Sequence, residues 1–151
     1  MTPPDERNAA AGDAAVSVVL IRLRSGPTEG LAVISHLDAR GGEVEVDRVA
    51  ADAESLGLAA VSAWVRREIP AGNSRLIIDI SGVDWVNSTL MGWLVSLHET
   101  VNRAGGALAV VMRMDRALSI LRITKLDRVL VICDSIDAAK ARLLPTEPGP
   151  R

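Results

Sequence analysis

Residues 75–102 read RLIIDISGVDWVNSTLMGWLVSLHETVN, a strand pattern that gives way within a few positions to an unbroken helical one. Leu76, Ile77, Ile78 and Ile80 form a short aliphatic run rich in β-branched side chains and bounded by turn formers. Such a run is the mark of a strand buried on both faces. Ser81-Gly82 breaks it, and Asn87, Ser88 and Thr89 then supply three residue types that cap helices. A hydroxyl at this junction stands beside backbone N–H groups that lack intrahelical acceptors, at the positive end of the helix dipole. A phosphate placed there would be stabilised by both effects.

The helical pattern can be tested by angle, at about 100° per residue. Leu90, Trp93, Leu94, Leu97 and Val101 fall within a stripe roughly 100° wide, as a core-facing side requires. Ser88, Gly92, Ser96, Glu99 and Arg103 fall opposite. Met91 and Val95 fit neither set and lie beside Ser88, so the pattern predicts an exposed ridge on which two apolar side chains flank a serine. That is the layout of a docking surface with a switchable charge.

Around this unit the rest of the chain falls into place. Residues 1–13, MTPPDERNAAAGD, lack periodicity and read as a disordered arm; residues 145–151, with three prolines in seven positions, read as a disordered tail. Residues 14–144 form the expected domain. Val16–Arg24 and Leu31–His36, joined across Gly26-Pro27-Thr28-Glu29-Gly30, predict a β-hairpin. Residues 38–50 read as a loop or a short edge strand. A helix is expected from about Asp52 to Glu68, weakened by an interior Gly57 by ~1 kcal/mol relative to Ala. Ala107–Met112 is a further aliphatic strand, Asp115–Thr124 a short helix, and Val129–Ile132 a third buried strand. Ser135 is placed to cap a last helix through Leu144. Alternating helix and strand from residue 52 onward imply right-handed crossovers and a parallel sheet.

The run LIIDISGVDWVNSTLMGWL resembles the signature of STAS domains, the anti-sigma factor antagonists. In that family an aliphatic strand ending in Asp-Leu-Ser leads to an Asp-Ser-Ser/Thr-Gly-Leu-Gly element. Asp79-Ile80-Ser81-Gly82-Val83 matches the strand end; Ser88, Thr89 and Gly92 match the second element, with Met91 at the Leu position. Asn87 stands where the family has Asp, and Leu90 where it has Gly. The second half, GGALAVVMRMDRALSILRITKLDRVLVICDSIDAAKARL, is also similar to the family's. The resemblance implies a STAS-like α/β domain with a mostly parallel four- or five-stranded sheet, an antiparallel N-terminal hairpin and about four flanking helices. It further implies a non-enzymatic switch that binds an anti-sigma factor, a serine kinase of histidine-kinase-like ATPase fold. The phosphoacceptor is then Ser88, with Thr89 second, and the partner-binding residues are Asn87, Ser88, Thr89, Met91, Gly92 and Val95. The same fold also serves an alternative, a STAS subunit of a transport ATPase complex that acts without phosphorylation.

Composition narrows the remaining classes. The chain has no Phe and no Tyr, and a net charge of −2, which together argue against base stacking and against phosphate-backbone binding. No apolar stretch approaches the ~20 residues needed to span a bilayer, and the N-terminus has no signal-like pattern. With a single cysteine, Cys133, no intrachain disulfide can form, and a cytoplasmic, reducing location is expected. Cys133, His36 and His98 show no metal spacing, and no phosphate-binding glycine motif is present, so no metal or cofactor is expected. A hydrolase built on Ser88 would need a nearby base; His98, ten residues on, lies about 15 Å away along a helix axis.

Overall fold

The computed structural model describes residues 18–25, 29–38, 42–52, 56–83, 88–113 and 123–143. Strands β1 (Val18–Ser25), β2 (Glu29–Leu37) and β3 (Glu43–Asp52) form an antiparallel meander. Helix α1 (Leu58–Glu68), β4 (Arg75–Gly82), α2 (Ser88–Arg103), β5 (Ala107–Val111), β6 (Val131–Cys133) and α3 (Ile136–Leu143) follow. The six strands lie in the order β3-β2-β1-β4-β5-β6, with β1, β4, β5 and β6 parallel to one another. The hairpin and the mixed α/β architecture are as expected.

The alternation of side chains across a strand explains why the central run is apolar throughout. On one face Ile21, Leu76, Ile78 and Leu108 pack against Val61 and Trp64 of α1 and Leu90, Leu94 and Leu97 of α2. On the other, Leu20, Ile77, Ala109 and Val111 pack against Ala139 and Leu143 of α3. Fully burying each such Leu or Ile contributes about 1.5–3 kcal/mol, so β4 is held by both layers at once. Ser135 caps α3 as expected, its Oγ accepting the Ala138 N–H at 3.0 Å. Cys133 is buried, and burial pushes its thiol pKa up, which disfavours the reactive thiolate.

Several boundaries differ from those read along the chain. The sheet has six strands rather than four or five, because the stretch expected as a loop or short edge strand pairs with β2 from Glu43 to Asp52. Its strand therefore reaches Asp52, the residue at which the first helix was expected to start. That helix begins only at Leu58, because Leu56 and Gly57 both adopt left-handed backbone, at φ 51° and 67°. Gly57 is thus the N-cap and not a weak interior position. The buried strand expected at Val129–Ile132 lies at Val131–Cys133, since a 3₁₀ turn at Leu126–Arg128 leaves Val129 45% exposed. Among the described residues there are three α-helices, where about four were expected. The expected helix at 115–124 falls outside the described residues except for its last two, and the expected arm and tail fall outside them as well.

Candidate functional site

Strand β4 sits between β1 and β5 and delivers the chain to α2. Its end is shaped by Asp79, which is 8% exposed and accepts hydrogen bonds from the Ser81 backbone N–H (2.9 Å) and the Ser81 hydroxyl (2.6 Å). A buried carboxylate needs compensation of this kind. Arg22 Nε adds a more distant cation, 4.0 Å from Asp79 Oδ2. The Val83 N–H then donates to the Ile80 carbonyl at 3.0 Å and turns the chain out of the sheet. A Cβ at Gly82 would sit 3.1 Å from Arg24 Cγ, a tight approach that the Arg24 side chain would have to relieve by a small shift.

Ser88 is the first helical residue of α2, and residues 84–87 lie outside the described residues. Ser88 and Thr89 are both exposed, and the first turn contains no acidic side chain. The first-turn N–H groups of a helix have no intrahelical acceptors, and within this first turn no carboxylate competes for the dipole's positive end. Gly92, Ser96 and Glu99 continue the exposed ridge. Opposite, Leu90, Leu94, Leu97 and Val101 are buried as the angular pattern required. Trp93 is half-buried, and its indole Nε1 donates to Ser62 Oγ at 2.8 Å, tying α2 to α1.

Met91 does not lie on the exposed ridge. It is 4% exposed and belongs to the same apolar cluster as Val83, Met112 and Leu130. An angular stripe assumes one flat packing surface, whereas the first turn of α2 also meets residues at the ends of the strands. Val95 is half-buried and packs against this cluster at its margin. The structure therefore brings Ser88, Thr89 and Gly92 to the surface together, leaves Val95 at their flank and withdraws Met91. His36, on β2, meets the Trp64 ring edge-on at 6.5 Å, and its Nε2 is buried without a hydrogen-bond partner. His98 lies on α2 beside Asn102. Among the described residues no group of His, Cys, Asp and Glu could hold a metal ion.

A mixed sheet with helices on both faces, and a helix opening on exposed hydroxyls straight after a buried central strand, defines an α/β domain whose prominent surface feature is a helix start. The STAS domain family model matches residues 33–139, most of the chain, and the chain belongs to that family. A Thermotoga neapolitana protein assigned as an anti-sigma factor antagonist is 32% identical over 77 residues, covering 50% of this chain and 68% of the relative. A Thermotoga maritima protein with the same assignment is 29% identical over 77 residues, with the same coverages of 50% and 68%. The crystal structure of a Thermotoga maritima protein assigned as an anti-sigma factor antagonist matches with a TM-score of 0.51 at 25% identity, covering 58% of this chain and 75% of that chain. Among the described residues no helix is long and apolar enough to cross a membrane.

Proposed function

We propose that this STAS protein is a non-enzymatic regulatory switch that binds an anti-sigma factor through the start of α2 and is released by phosphorylation of Ser88. The observation that carries this reading is the exposure of Ser88 and Thr89 in a first turn without acidic residues, one helical turn before the exposed Gly92. The relatives assigned as anti-sigma factor antagonists supply the class of partner. A partner of histidine-kinase-like ATPase fold would serve as both the docking target and the serine kinase. Ser88 is the phosphoacceptor and Thr89 the second candidate, with Asn87, Gly92 and Val95 completing the contact. Met91 supports this surface from beneath.

The physics of release follows from the position. A phosphate on Ser88 adds a charge of about −1.5 to −2 where free N–H groups and the dipole accommodate it, so the fold is retained. The same charge would have to be desolvated inside a docked interface, and that cost opposes binding. Ser88→Asp is expected to weaken binding to the co-purified partner at least tenfold, or about 1.4 kcal/mol, while Ser88→Ala stays bound. Mass spectrometry of the protein from its own cells should find phosphate on Ser88 or Thr89. Equal binding by both variants, with no phosphate at either residue, would overturn the switch and favour a constitutive STAS subunit of a transport ATPase.

A further inference from the structure

We propose that β3 is a homodimerisation edge, pairing with β3 of a second copy in antiparallel register about a twofold axis between Val46 and Asp47. Among the described residues β3 is the outermost strand, with no strand on its far side. All its described side chains from Glu43 to Arg48 are exposed. Two of the exposed large apolar residues, Val44 at 65% and Val46 at 46%, lie on it. An open strand edge is a template for further pairing, and natural proteins commonly block it with charge or with a bulge. Here both devices are present, but their arrangement is self-complementary.

The bulge sets which side chains share a face, and with them a self-complementary register. The pairing of β3 with β2 steps from Ile34↔Asp47 to Ser35↔Glu45, leaving Val46 as the extra residue. In an unbroken strand residues 45 and 48 would point to opposite faces, because alternation has period two. The extra residue puts them on the same face, and both line one open groove with Arg22, Arg24 and Ser35. Val44 and Val49 share the other face. Val44 is paired with His36, which meets Trp64 of α1, and Val49 packs against the core on that side. A twofold between Val46 and Asp47 then sets Glu45 opposite Arg48 of the second copy, Arg48 opposite its Glu45, and Val44 opposite its Val49.

Glu45 and Arg48 already form a two-pronged pair within one chain, at 2.8 and 2.9 Å. Across the axis the four groups alternate in sign, so every nearest neighbour is attractive, while the exposed Val44 gains an apolar partner. The strand is acidic overall, with Glu43, Glu45, Asp47 and Asp52 against Arg48, and Arg22 already offsets Glu43; the pairing therefore rests on Glu45 and Arg48, which carry opposite signs at symmetric positions. The edge is three strands from β4, so a continuous sheet across two copies leaves the start of each α2 free. The dimer is thus independent of the proposed switch and would present two docking ridges.

Sedimentation of the full chain across the micromolar range tests this, with circular dichroism to verify folding. A monomer–dimer equilibrium is expected, weakened at least tenfold by Glu45→Arg alone and by Arg48→Glu alone. Mixing the two variants should restore dimers, as heterodimers. The two arginines that the first variant carries at these positions then face the two glutamates of the second. Neither variant can regain its own intrachain pair, so recovery on mixing reports the intermolecular contact. A monomer at every concentration, a dimer unmoved by either reversal, or no recovery on mixing would each overturn the proposal.

Discussion

Glycine at position 92 costs about 0.5–1 kcal/mol relative to alanine in a helix interior. Among the described residues a methyl group there would meet nothing within 4 Å, and the proposed docking supplies a reason for the glycine, a close approach by the partner. Gly92→Ala is expected to raise the melting temperature by up to about 2–4 °C while weakening partner binding. Unchanged affinity in a titration of the more stable variant would remove Gly92 from the interface. Met91 behaves oppositely. Its burial predicts that truncation to Ala costs about 2–5 kcal/mol, seen as a large drop in a thermal melt, whereas the half-buried Val95 costs less when truncated. The surface positions of Ser88 and Gly92 could be read from helical spacing, but the burial of Met91 could not. A residue at the edge of a helical stripe is covered or exposed according to what the neighbouring strand ends place over it.

The entry to α1 shows how an element's boundary can hinge on backbone rather than on apolar spacing. Gly57 has φ 67° and a built Cβ would lie 2.9 Å from Val49 Cγ1, while Gly72 has φ 97° with nothing within 4 Å. Both resist substitution through their left-handed backbone, at about 1–2 kcal/mol for a residue with a Cβ. Gly57→Ala should therefore destabilise more than Gly72→Ala, and the difference in urea midpoints reports the contact with β3. Strands β1 and β3 are joined across β2 by Arg22 and Glu43, whose guanidinium and carboxylate are directly bonded. The Arg22 hydrogen bond holds the Glu43 carboxyl below its usual pKa. The stabilisation from a lowered carboxylate pKa is present above the unfolded value and lost as pH falls through the folded one. Arg22→Gln should therefore be less stable than the parent near neutral pH, with the gap narrowing in acid. A gap that stays constant down to pH values below the carboxylate range would show that Arg22 acts through packing alone.

At the scale of the whole molecule, a net charge of −2 argues against strong electrostatic binding of nucleic acid. Fluorescence anisotropy at low salt should detect no micromolar affinity for random duplex DNA, and salt-sensitive binding would contradict this. The antiparallel hairpin, the buried central strand, the cap at Ser135 and the hydroxyl-bearing start of α2 were all legible along the chain. Each depends on interactions among residues close in sequence, and on an apolar period that local chain geometry imposes. Strand order, the ten-residue span of β3, the late start of α1 and the burial of Met91 were not legible. Glu43–Asp47 alternates like an edge strand but leads into helical spacing, so pairing with β2 decides that the strand runs on to Asp52, where the helix was expected to begin. Local propensity determined which segments of this protein could be strand or helix. Which of them became strand, and which side chains went inside, was decided by contacts between residues far apart in sequence, whose energies no local pattern records.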